Sequence, residues 1–228
     1  MLRKFFAAMG LGVAAANGAE AGPPYGPYAS ESANTIYNLL FCDEPSAFLG
    51  DRKSARKEWQ KVLSENPSSP SDLAALASDA SQEGRIRYLA YSRLRGMGQQ
   101  VKPKILLGVV VEVPMAGGLD ALAAYSEGGV RYVNHSGKMV IGEGVADFLP
   151  LVQQIFAVSE PVVARIGPWD KPRTSPPKHG NIRMTFLVSD GMYFGEGPMS
   201  VMQRDALAGP VIQQATQLLL SVTRAGVE

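Results

Sequence analysis

Two histidines, His135 and His179, and one cysteine, Cys42, are all that this 228-residue chain offers of the side chains that most often serve as bases, nucleophiles or metal ligands. A nucleophilic triad would have to take one of the two histidines as its base. A single cysteine closes no intrachain disulfide, and it joins no His/Cys cluster of zinc spacing. The chain contains no GxxxxGK[ST] loop, no GxGxxG opening a helix after a strand, no HExxH, no CxxC, no EF-hand loop and no GxSxG elbow. Neither a metal nor a cofactor is expected.

Carboxylates are the remaining route to chemistry. Glu112 interrupts the apolar run Ile105–Val113, and a carboxylate buried there must be paired or have its pKa raised. It could act as an acid or base, or it could point outward or pair with an arginine such as Arg131. Asp190 has a local explanation in the turn it makes with Gly191, whereas Glu196 has none. The stretch 167–183 is the most suggestive. It holds four prolines together with Trp169, Asp170, Lys171, Arg173, Lys178 and His179, and shows no periodicity. Long loops without secondary structure are often functional or disordered. Trp169 and the cations could form a platform for an anionic or aromatic group or for a partner protein. The alternative is a proline-stiffened connection whose tryptophan packs on the core.

Lys plus Arg number 22 and Asp plus Glu 21, which argues against a broad basic surface for nucleic acid. At this length one large domain, with or without a small helical appendage, buries roughly 70% of the unfolded surface. Residues 1–32 read as a tail. Arg3 and Lys4 precede an apolar run, Phe5–Ala16, that is too short to span a bilayer, and Ala19-Glu20-Ala21 resembles a cleavage site. Two placements follow: cytoplasmic with a short tail, or periplasmic or secreted if residues 1–21 are a cleaved signal peptide.

These residues must be positioned by the elements around them. Residues 33–99 read as helices: one through Ile36, Leu39 and Leu40 closed by Pro45, one over 53–64, one capped by Ser71, and one from Gly84 to Met97. From residue 100 the pattern turns to strands: 105–113, 119–126, 130–135 and 139–141, joined by turns short enough to force a meander. A helix from about 145 is expected to kink or end at Pro161. Strands 182–189 and 192–195 flank Asp190-Gly191, which suits a type I′ hairpin, and a helix over 210–224 closes the chain. The fold class is α+β: N-terminal helices (33–99), then a sheet core (100–228) of four-strand meander, helix, hairpin and helix, with 33–228 able to form one domain.

The segments Asn34–Asp43, Gly167–Arg173 and Phe186–Pro198 resemble those of a family of uncharacterised bacterial proteins, over residue 33 to the C-terminus. The resemblance implies a cytoplasmic location and carries no activity, cofactor or catalytic residue.

Two functional readings follow. One is a non-catalytic binding or adaptor protein, its partner possibly another protein, using the loop 167–183 and the hairpin at 190–191, with Trp169, Asp170, Lys171, Arg173, Asp190, Tyr193 and Glu196 as contact residues. The other is an enzyme of unrecognised class, for instance a hydrolase, in which Glu112, His135, Asp190 and Glu196 meet in a cleft.

Overall fold

The structure, a computed structural model, describes residues 22–49 and 56–225. The reading of residues 1–21 as a tail or signal peptide lies outside the described residues, as does the stretch 53–55 of the second expected helix. Helices α1 (Glu31–Leu39), α2 (Glu58–Ser64), α3 (Pro70–Ser78) and α4 (Gly84–Gly96) precede strands β1 (Leu106–Met115), β2 (Gly118–Tyr125), β3 (Val130–Val133) and β4 (Met139–Gly142). Helix α5 (Phe148–Arg165), the hairpin β5 (Asn181–Val188) and β6 (Gly191–Pro198), the short α6 (Met199–Met202) and α7 (Ala208–Ala225) follow. The fold is α+β. The six strands form one antiparallel sheet in the order β4-β3-β2-β1-β5-β6, so the hairpin joins the meander at β1.

Both faces of the sheet are covered. Leu107, Val110, Leu119, Ala121, Ala123, Tyr125, Val133 and Leu187 face α1–α4 and the chain before them. Leu106, Val109, Val111, Leu122, Val130, Ile182, Met184 and Phe186 face α5 and α7. This explains why β1 reads as a continuous apolar run and not as an alternation. Leu106 and Val109 share a face because the register against β5 shifts between Leu106 and Gly108. No helix among the described residues is long and apolar enough to cross a membrane.

Four local expectations need correction. Helix α3 is capped by Ser69, whose Oγ accepts from Asp72 N, with Pro70 in the first turn; Ser71 is already inside the helix. Strand β1 passes through Pro114, because its pairing with β5 stops at Glu112 and the proline lies on the singly paired end. Helix α5 does not end at Pro161 but runs on to Arg165. Ala157, whose carbonyl loses its partner to that proline, is exposed to water. Finally, Ser189 and Asp190, the two residues between paired Val188 and Gly191, have no positive φ, so the turn is not type I′. It is held by side chains: Ser189 Oγ donates to Lys102 O at 2.6 Å, and Asp190 Oδ1 accepts from Lys104 N at 3.2 Å.

The first turn of α4 sits directly on β1. A Cβ added at Gly84 would lie 2.2 Å from Leu107 O, a backbone atom that cannot swing away. Gly84→Ala is expected to cost about 1–3 kcal/mol through overpacking, whereas Gly96→Ala, where an added Cβ meets nothing within 4 Å, costs nothing comparable. Denaturant unfolding of the two variants checks the contrast.

Candidate functional site

Glu112 is fully buried, and its partner is Arg183, not Arg131. Register explains the choice: Glu112, Arg183 and Glu196 lie directly opposite one another across β1, β5 and β6. Arg183 donates through Nε and Nη2 to Glu196 Oε2 at 3.0 and 2.6 Å, and its Nη1 lies 3.9 Å from Glu112 Oε2. Its remaining donors reach Thr174 O at 3.2 Å and Ser175 O at 2.7 Å. Arg131 is engaged elsewhere, with Glu143 at 2.5 Å and Glu83 at 3.4 Å.

A second buried arginine pins the same loop. Arg173 is only 5% exposed. It donates to Asp43 Oδ2 (2.6 Å), to the Tyr37 hydroxyl (3.2 Å) and to Asn38 Oδ1 (2.9 Å), and its guanidinium lies 3.9 Å from the centre of the Phe41 ring. Tyr37 in turn donates to Glu112 Oε1 at 2.7 Å, which joins the two arginine clusters. Asp43 reaches Arg173 because the chain leaves α1 through Cys42 at a φ of +58° and departs from the helix direction. Burial pushes the carboxyls of Glu112 and Asp43 above their ordinary range, with the arginines opposing. Among the described residues, Glu112 Oε2 has no hydrogen-bond partner. Burial also raises the Cys42 thiol, which makes it a poor nucleophile.

Beside this network lies a groove of about 440 Å³, bounded by Pro23–Gly26, one face of α1 and the Asp43–Phe48 turn. Its wall is built by two asparagines one helical turn apart. Asn34 accepts from Tyr28 N at 2.9 Å and donates to Tyr28 O at 2.9 Å. Asn38 accepts from Tyr25 N at 2.9 Å and donates to Tyr25 O at 2.7 Å. Each amide thus substitutes for a strand partner and holds the incoming chain extended along α1. The Tyr25 hydroxyl then donates to Arg173 O at 2.6 Å, tying the wall to the loop.

The residues singled out from the sequence fall into three groups. Arg173, Asp190, Tyr193 and Glu196 are engaged inside the protein: the buried Tyr193 donates to Asp190 Oδ2 at 2.8 Å, and Glu196 holds Arg183 and Asn181. Trp169 is half-buried on the β6 edge. Its ring meets Phe194 edge-on at 4.9 Å, its backbone N–H donates to Met192 O at 2.7 Å, and its indole donates to Pro172 O at 3.0 Å. Asp170 and Lys171 are exposed. Of the carboxylates considered for an enzyme, Glu112 and Glu196 share Arg183, while Asp190 sits at the far end of β6 in the hairpin turn. His135 lies with Asp120, its Nδ1 3.4 Å from Oδ1. The residues that build the groove, Tyr25, Asn34, Asn38, Asp43 and Phe48, were not legible as a site; the one sequence cue is the spacing of the two asparagines on one helix face. Comparison with protein-family models, curated proteins and solved structures gives no match.

Two outcomes test the network. Arg173→Ala leaves Asp43 without its partner and is expected to cost about 3–5 kcal/mol in urea unfolding. For Glu112, a folded-state pKa above the ordinary 4.5 means that folding favours the protonated form. That stability is present below about pH 4.5 and is lost as pH rises through the folded value. Relative to wild type, Glu112→Gln should therefore gain stability as pH rises from about 4 to 7. A pH-independent difference in paired denaturation curves contradicts this.

Proposed function

We propose that the chain is a non-catalytic binding protein, and that its contact surface is the groove beside the loop 167–183. The observation that carries this reading is the groove itself. Its volume, about 440 Å³, falls within the range of small-molecule sites. Its walls are held by directed hydrogen bonds, so little ordering is left for a ligand to impose.

In this reading the loop 167–183 acts mainly as a strap. Arg173 sits behind the groove floor, and Pro172 borders the wall at Gly22, where an added Cβ would lie 4.0 Å from Pro172 Cβ. The half-buried Trp169 and the exposed residues Asp170, Lys171 and Pro172 after it extend the contact surface. The hairpin at 190–191 anchors the other end, through Asp190 and Lys104. Lys104 Nζ donates to Val163 O at 2.7 Å and Ile166 O at 2.5 Å, the carbonyls at the end of α5. The carboxylates that an enzyme would need are spent on these supports, which favours binding over catalysis.

Nile red, a neutral apolar dye that brightens on leaving water, tests the groove. Wild-type protein should bind it saturably, and Thr35→Trp, which adds bulk from an exposed position of α1 on the groove, should abolish the signal without changing the unfolding midpoint. Equal signals from both proteins, or no saturable binding, overturn the assignment.

A further inference from the structure

The groove also carries information about the charge of what it holds. Among its described lining residues are three carboxylates, Glu31, Asp43 and Glu44, and no lysine, arginine or histidine. Most of the remaining lining is apolar or aromatic, with Tyr25, Leu39 and Phe48 as its largest apolar and aromatic side chains. Glu31 and Glu44 are exposed, so their share is a diffuse field at the rim. Asp43 is different. Its side chain is only 13% exposed and is fixed by Arg173 through Oδ2. Its Oδ1 accepts no hydrogen bond among the described residues.

Arg173 cannot turn to serve that second oxygen. Its Nε, Nη1 and Nη2 each donate one hydrogen bond, to Asp43 Oδ2, Tyr37 and Asn38 in turn, and its plane is held against Phe41. The side-chain oxygen of Asn38 is likewise taken, by Tyr25 N and Arg173. Asp43 therefore gives the groove lining a carboxylate fixed by Arg173, with one oxygen that is not hydrogen-bonded among the described residues, on a side chain only 13% exposed. Such an oxygen is worth most to a donor that brings positive charge. One free oxygen suits a compact ammonium; a guanidinium would need both oxygens for its two-pronged contact. An anion would meet three carboxylates and no compensating cation in the described lining.

We propose that the groove binds a small amphiphilic amine: a primary ammonium held by Asp43 Oδ1, on an aromatic or branched aliphatic body lying against Tyr25, Leu39 and Phe48. This rests on the reading of the groove as the binding site and adds the class of ligand. The raised carboxyl of Asp43 is consistent with it, since a buried acid of this kind gains a favoured charged form when a cation arrives.

Three probes of one shape separate charge from shape: 4-phenylbutylamine, 4-phenylbutanol and 4-phenylbutyrate, titrated calorimetrically into the full chain near neutral pH and at low salt. The amine should bind at least about tenfold more tightly than the alcohol, the difference a charge-assisted hydrogen bond supplies over a neutral one, and the carboxylate should not bind. Thr35→Trp should abolish binding of the amine. The double variant Glu31→Gln, Glu44→Gln should weaken it several-fold while leaving a loss of affinity on acidification, because Asp43 remains. Equal affinity for amine and alcohol overturns the charge assignment and leaves the groove reading intact, as does saturable Nile red binding without any amine binding. If neither Nile red nor the amine binds, both readings fall.

Discussion

A carboxylate placed without solvent in the middle of a sheet face sets the terms for much of this structure. Glu112 occupies a position that an aliphatic side chain would fill without cost, and its charge is tolerable only beside compensating cations. Arg183 supplies one from the adjacent strand and is itself balanced by Glu196 on the next. Tyr37 supplies a hydrogen bond from the helix above, and Arg173 bonds the same hydroxyl from the loop. Strand, helix and loop are thereby held in one register. A shift of any of them would leave a buried charge without its partner, a larger penalty than loss of an apolar contact.

The rest of the architecture follows from covering a sheet on both faces. On the α5 and α7 side the contact is apolar, and it requires only that side chains alternate toward the helices. On the other side four short helices and an extended segment share the cover with the loop before β5. Short elements bury little surface each, so directed polar bonds replace some of the apolar area. The two asparagine clamps, Arg173 and Arg183 are those bonds. The incomplete fit of these pieces is what leaves the groove. It lies where the extended segment, α1 and the following turn meet, with a floor of side chains that are held from behind.

The loop 167–183 illustrates how composition can locate a feature while leaving its role open. Four prolines and several cations mark it as unlike its surroundings. Both of its arginines, Arg173 and Arg183, however, are buried in the protein, and its backbone carbonyls serve Arg183 and Tyr25. Trp169 partly covers the edge of β6, a place where an uncovered strand would invite pairing with another chain.

By itself the sequence determined the α+β class, the order of elements and most strand limits, because those depend on local periodicity and on turns such as Asn134–Lys138 that act within a few residues. It also narrowed the chemistry, since two histidines and one cysteine are few. Tertiary structure alone decided which faces meet and which charges pair. Glu112 and Tyr37 lie 75 residues apart and Arg173 and Tyr37 lie 136 apart, separations over which no spacing rule operates. The same reason hid the groove: its parts are ordinary residues locally, and only the strand register and the turn at Cys42 bring Asp43, Asn38 and Arg173 to one point. Local errors had the same source. Pro161 and Pro114 were tolerated because solvent or an unpaired strand edge accepted what each proline withheld, and exposure is a property of the folded chain.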